Sequence, residues 1–488
     1  MQLERRKKMA KEAKKRRSLG TFTILIIILL LVSMATWLTN GKGYTDSNGK
    51  AATVHGATAS TIFMAPINGW HNAGDVIGFV FCLGVFLSLL NATGALKTGI
   101  HSLVKKLHGK EMVLIWVLMF LFSIGGTTYG MGEETVGFYI LLAATMLAAG
   151  FDPMVGVATV LLGAGTGVLG STINPFATGA AVAAAGVKVN LGIVYAEGLI
   201  LWLASYFIAA LFVTRYAKKV QAGKGSILTS EQIAVCREAY GNASDVDEDV
   251  QLTQRQKTVL ILFALSFIVM ILGFIPWGSL NKGIYGGLAW TRFLTGNQLG
   301  DWWFDDAATW FLIMAFLIGF IGVDDKKKIV PCVISGFADM ISVNLVIALA
   351  RATTVVMTST GLGSWLVQAS VTGLSKSGLP AGVFGFLDYL LHIGLSFLVP
   401  SSSGLAALSS PIVSPIVAKM GWSVETSIMI NVAANGLVNL FTPTCGFIMG
   451  GLALARIPYE TWLQWAKKLL LTLAVMVAVV LTVSMIIL

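Results

Sequence analysis

The chain has 488 residues, 56% of them apolar and 12% charged, with a mean hydropathy of +0.78 and a net charge of +10. A soluble domain carries about 25% charged residues, so a soluble fold is excluded and most of the chain belongs in lipid. The basic residues cluster at the ends of apolar runs, where lysine and arginine hold loops on the cytoplasmic side. That placement argues against nucleic acid as a partner.

Residues 1–19 are a basic segment expected in the cytoplasm, followed by "TFTILIIILLLVSMATWL". The apolar run is long enough to span a bilayer and lacks a small-x-small cleavage site, so it reads as a retained helix at 20–39. A polar, Gly-rich loop leads to a span at 74–97, which ends in the lysine-rich run through Lys97, Lys105, Lys106 and Lys110. The segment 112–149 is too long for one span and carries "GMGEE" at its middle, which predicts a re-entrant hairpin. A span at 153–186 is broken at "GSTINPF", and the span at 191–215 ends at Arg215, Lys218 and Lys219. Residues 20–216 are thus a first transmembrane half, and the hydrophilic stretch 217–255 is a cytoplasmic linker.

The second half, 256–488, has spans at 257–277 and 304–322. Trp277, Trp290, Trp302 and Trp303 lie between them and suit a headgroup belt. There follow a span at 330–359, a hairpin at 377–419, a broken helix at 423–452 and a last span from 468. The expectation is an all-α polytopic membrane protein of about nine transmembrane helices plus two hairpins and two broken helices. It places the N-terminus in the cytoplasm and the protein in the plasma (inner) membrane. Cys82, Cys236, Cys332 and Cys445 have neither CxxC nor metal-ligand spacing, so no metal site and no cofactor are expected.

The halves share a register. The hairpin tips put Glu133 opposite Ser401, 268 residues apart, and the broken helices put Asn174-Pro175 opposite Thr442-Pro443 at the same offset. Thr93-Gly94 and Thr360-Gly361 differ by 267. The span at 74–97 is expected to enter from outside and its counterpart at 330–359 from inside, so the repeats are inverted. Interrupted helices at matching places in inverted halves point to the binding site of a transporter. Irregular backbone at membrane depth is tolerated only where protein or a wet cavity meets its polar groups.

"GGTTYGMGEETVGFY", "GSTINPFATGAA" and "FLVPSSSGLAAL" resemble the YfcC branch of the ion-transporter superfamily. That branch is grouped with the anaerobic C4-dicarboxylate carriers and includes arginine–ornithine antiporters of the ArcD type. The resemblance covers nearly the whole chain from residue 20 onward. It implies a secondary carrier with opposed hairpins and unwound helices around a small-molecule substrate. It also implies an elevator-like movement of a transport domain on a scaffold, and a homodimer.

Two carboxylates at membrane depth need compensation. Glu133 and Glu134 open the second arm of the first hairpin, where the helix dipole favours them; facing a cavity, they pair a cationic substrate or carry a proton. Thr172 and Asn174 (with Ser171), Thr442 and Thr444 satisfy backbone groups beside the prolines or offer neutral oxygens to substrate or ion. Ser401, Ser402 and Ser403 cap the second hairpin's returning helix or dock a carboxylate or Na⁺. In the span at 330–359, Asp339 and Arg351, candidate coupling or charge partners, are too far apart to pair directly; Arg351 snorkels to the outer surface or, facing the cavity, binds a carboxylate. Asp388 and His392, at i and i+4, are a buried pair or a proton relay. The leading expectation is a basic amino acid antiporter. The runner-up is a carboxylate carrier coupled to H⁺ or Na⁺. An intramembrane serine hydrolase using Ser402 and His392 is a remote third, lacking a GxSxG elbow.

Overall fold

The computed structural model describes residues 21–46, 50–96, 98–99, 102, 110–240, 252–275, 277–376 and 378–488. The expectations for residues 1–19, the acidic run 245–251 and Lys97, Lys105 and Lys106 fall outside the described residues. Eight helices among the described residues are long and apolar enough to cross a membrane. The first half comprises α1 (Thr21–Leu38), a two-stranded antiparallel ladder of β1 (Gly43–Thr45) and β2 (Ala51–Thr53), then α2 (Ala59–Asn72) and α3 (Gly74–Ala92). The stretch expected as a loop before residue 74 contains this ladder and α2, which leads into α3 with a break at Ala73. The first hairpin is α4 (Glu111–Tyr129) and α5 (Val136–Ala148), and the broken helix is α6 (Pro153–Leu169) and α7 (Ala180–Ala184). α8 (Leu191–Gln221) completes the half.

The linker carries a helix, α9 (Ser230–Tyr240), whose Cys236 is fully buried with its sulfur beside Ala455 O. Two spans follow, α10 (Gln254–Phe274) and, beyond the short turns α11 (Trp277–Leu280) and α12 (Lys282–Gly287), α13 (Phe304–Gly322). The second half continues with α14 (Ile329–Ser359), α15 (Leu362–Lys376), the hairpin α16 (Ala381–Leu398) and α17 (Ser402–Lys419), the broken helix α18 (Val424–Val438) and α19 (Gly446–Leu454), and α20 (Tyr459–Ile487). The last helix starts nearer the break than expected, because Trp462, Trp465 and Ala466 give its first turns a buried face. The tryptophan belt is only partly realised. Trp290 is exposed, but Trp302 is 3% exposed and closes over Gly273, and Trp303 lies at the mouth of a cavity.

The core consists of the two interrupted helices. Every residue of α6 from Pro153 to Leu169 is buried, and in α18 all but Glu425 are. A helix apolar all round has to be wrapped by others, and both are. They cross antiparallel, with Gly165 against Leu440 and Gly436 against Leu169. α3 and α14 are antiparallel too: Gly84 meets Gly336, and Gly69 of α2 meets Ala348 and Ala352. α3 and α14 end alike, on Thr93 followed by Gly94 (φ +67) and on Thr360 followed by Gly361 (φ +77). Those left-handed glycines stop each helix at the same register. The inverted repeat is a property of the packing as well as of the sequence.

Candidate functional site

α4 ends at Gly130, whose φ of +80 turns the chain, and the Gly130 N–H bonds Gly126 O at 3.1 Å. Only glycine fits there, since a Cβ would also sit 2.8 Å from the Asn174 amide. The tip is then closed from within. Glu134, 3% exposed, accepts from the Gly132 N–H at 2.9 Å, and Thr135 Oγ1 donates to Gly132 O at 2.5 Å. Glu133 is left facing a cavity of about 260 Å³. This is near the lower end of small-molecule sites.

The second hairpin meets the same cavity from the opposite direction. Pro400, Ser401, Ser402 and Ser403 line it. Ser401 Oγ caps α17 by accepting from Gly404 N at 3.2 Å, and Ser402 Oγ donates to Asn435 Oδ1 at 2.8 Å. The break between α18 and α19 adds Thr444 and Cys445. Thus "GMGEE" and "PSSSG" share one chamber.

The remaining expected residues divide by geometry. Thr172 N–H and Oγ1 both donate to Thr127 O, at 2.9 and 3.1 Å. Asn174 Oδ1 accepts from the N–H groups of Phe176 and Ala177 at 2.9 and 3.3 Å. Thr442 shares a 2.6 Å hydrogen bond with Thr444, whose Oγ1 donates to Phe397 O at 2.9 Å. These groups stitch the unwound backbone, and Thr444 alone of the four also lines the cavity.

Arg351 lines the cavity, the second of its two expected placements. α14 presents Ile347, Ala350 and Arg351 to the cavity, because residues three and four apart lie on one face. Among the described residues Arg351 has no carboxylate within 4.0 Å. Asp339 is exposed elsewhere on α14. Asp388 and His392 lie away from the chamber, fully buried as a pair, with Nδ1 3.0 Å from Asp388 Oδ1 and Nε2 2.6 Å from Ser409 Oγ. Ser402 Oγ is bonded to Asn435 and His392 Nε2 to Ser409, and no hydrogen bond joins Ser402 to His392 among the described residues.

Sequence reasoning missed several cavity residues. Asn72 and Asp75 come from the α2–α3 break, and Asp75 Oδ2 accepts from Trp303 Nε1 at 2.6 Å. Tyr129 and Asn439 line the chamber, and each keeps a buried oxygen without a hydrogen-bond partner among the described residues. One signal was available: "NVAANGLVN" sets Asn431, Asn435 and Asn439 at i, i+4 and i+8 on one face of an apolar helix.

Two hairpin tips and two interrupted, antiparallel helices meeting at a polar chamber inside a bundle of apolar helices form the build of a secondary transporter. The chain is a multi-pass membrane transporter. Its match to the family model for the C4-dicarboxylate anaerobic carrier, DcuC, runs over residues 7–486, and the chain belongs to that family. It is 32% identical over 406 residues to an uncharacterized protein of Haemophilus influenzae, covering 83% of this chain and 74% of that one. It is 26% identical over 419 residues to the putative basic amino acid antiporter YfcC of Escherichia coli K12, covering 84% and 77% respectively. Among solved structures it is similar to the YdaH transporter of Alcanivorax borkumensis, with 17% identity, a TM-score of 0.47, and coverage of 94% of this chain and 97% of that one. It is also similar to MtrF of Neisseria gonorrhoeae, with 16% identity, a TM-score of 0.43, and coverage of 97% and 96%.

Proposed function

We propose that the protein exchanges basic amino acids of the arginine and ornithine type across the plasma (inner) membrane by alternating access. The observation that carries this reading is the charge around the chamber. Glu133, Glu134 and Asp75 line it together with a single guanidinium, Arg351, which has no carboxylate within 4.0 Å among the described residues. A solute with both a carboxylate and two cationic groups complements that set. Its carboxylate docks between Arg351 and the hydroxyl-capped N-terminus of α17, where backbone N–H groups favour an anion. Its cationic side chain points to Glu133.

A C4-dicarboxylate carrier coupled to H⁺ or Na⁺ is the second reading, favoured by Arg351 and the three serines at the second tip. It leaves a dianion facing three carboxyl groups, which costs binding through like-charge repulsion. Counterflow in proteoliposomes separates the two. Labelled arginine is expected to accumulate in vesicles loaded with ornithine, and excess succinate is expected not to compete. Succinate uptake with no arginine movement or competition overturns the proposal.

A further inference from the structure

The two hairpins solve the same packing problem in different ways. In the first, α4 lies on α6 through glycines: a Cβ on Gly167 would fall 2.1 Å from Ser123 O, and one on Gly163 would fall 2.9 Å from Phe122 Cβ. At the 268-residue offset these glycines correspond to Asn435 and Asn431 of α18. The same offset aligns Phe120, Ile124 and Leu141 of the first hairpin with Asp388, His392 and Ser409 of the second. The architecture is therefore built once without an acid or an imidazole in that place. A buried acid and imidazole are not needed to hold a hairpin of this shape, and burying them is costly.

We propose that Asp388 and His392 form the proton-binding site that couples this transporter to a pH gradient. This rests on the chain being a transporter and not on the identity of the solute. His392 Nδ1 faces both Asp388 Oδ1 at 3.0 Å and Asp388 O at 2.9 Å, so it carries a hydrogen and holds the ring in one orientation. Nε2 then exchanges the proton. When Nε2 is bare, Ser409 donates to it across 2.6 Å; when Nε2 is protonated, the hydroxyl turns and accepts. No heavy atom has to move. The loaded pair is a neutral Asp⁻–HisH⁺ couple and the unloaded pair carries one negative charge.

Among the described residues, the groups hydrogen-bonded around the pair are neutral hydroxyls and an amide. α17 supplies Ser409. α18 supplies Ser427, 3.5 Å from Asp388 Oδ2, and Asn431, which donates to Ser409 Oγ at 3.0 Å. α20 touches the same helix at Ala474 O, which accepts from Tyr389. α15 has one titratable group, Lys376, at its end. Glu197 of α8 is engaged by Thr426 and Ser484, one residue along α18 from Ser427.

The link to the chamber is the asparagine face of α18. Asn431 holds the α16–α17 arms through Ser409. One turn on, Asn435 accepts from Ser402, and a further turn on, Asn439 donates to Pro400 O at 2.8 Å while lining the cavity. The middle and the tip of the second hairpin are thus pinned to one helix face. Eight residues from His392 to Pro400 span ~12 Å of helix. At an effective dielectric of about 20, a unit charge at that distance shifts a proton equilibrium about tenfold. A cation entering the chamber therefore favours release of the proton, which is the sign required for exchange of one for the other.

The test uses the full chain in lipid nanodiscs and proteoliposomes. Histidine ¹⁵N spectra, with His392→Gln identifying one of the five histidines, are expected to show His392 titrating between about pH 5 and 9. Its midpoint is expected to fall by about one unit or more in Asp388→Asn. A His392 that keeps one protonation state over that range, or a midpoint indifferent to Asp388, overturns the proposal. In vesicles, arginine and succinate serve as separate probes. The flux of whichever is carried is expected to respond several-fold to an imposed pH gradient, and His392→Gln is expected to lose that response while keeping gradient-free exchange. A wild-type response in a folded variant overturns the proposal. Should His392→Gln not fold, Ser409→Ala replaces it, with a weakened response expected and a wild-type response counting against. Succinate responding while arginine stays outside sinks the substrate reading and leaves the proton site standing; if neither solute crosses, the histidine titration alone decides.

Discussion

Glu133 and Glu134 are neighbours with different tasks, and that difference can be measured. Glu134 closes its own tip through the Gly132 N–H. Glu134→Gln keeps an acceptor there and is expected to leave the melting temperature nearly unchanged. Glu134→Ala strands a buried N–H and is expected to cost about 1–3 kcal/mol. Glu133→Gln touches no such bond and is expected to keep the fold while abolishing arginine exchange; unchanged exchange removes Glu133 from the site. Arg351→Lys keeps the charge and loses the planar fork, so its apparent arginine affinity is expected to drop about tenfold or more, whereas Arg351→Gln is expected to be inactive. The two glutamates were legible because a charge inside an apolar run demands a reason. Arg351 was not, because a residue near one end of a long helix reads equally well as a surface anchor, and only the packing of α14 on α2, α3 and α19 decides which face it takes.

The elements differ in how they tolerate volume. α4 and α6 touch backbone to backbone through Gly126, Gly163 and Gly167; a Cβ on Gly126 would lie 2.1 Å from Ala164 O. Gly167→Ala is expected to destabilise by about 1–3 kcal/mol through overpacking, visible as a lower melting temperature in detergent. Gly137→Ala, whose nearest neighbour would be a Leu87 methyl at 3.5 Å, is expected to be neutral or slightly stabilising, since alanine is the better helix former. Equal melting of the two variants breaks the argument. Hairpin tips and proline breaks were visible at this scale because glycine, proline and polar residues interrupt an apolar pattern. The α2–α3 break was hidden: "HNAGD" carries no proline, and the polar stretch before it looks like an ordinary loop.

At the scale of the whole molecule, the inverted repeat makes a demand that no single site does. Parallel packing within each half, α4 on α6 and α16 on α18, combined with antiparallel crossing between halves, requires the bases of the two hairpins to lie on opposite faces of the membrane. Lys110 precedes α4 and Lys419 ends α17, and both are exposed. In a background with the four native cysteines replaced, Lys419→Cys is expected to react with a membrane-impermeant maleimide in intact cells. Lys110→Cys is expected to react only after permeabilisation, because the lysine-rich ends belong inside. Reversal of both labels would invert the orientation and leave the repeat intact. Labelling of both from one side would make the halves parallel, and the two tips could then no longer approach a common chamber from opposite directions. The matching offsets made this architecture readable from the sequence alone. What they could not convey is which helix faces close the chamber, since equal spacing fixes where a chain bends and leaves open what it bends against.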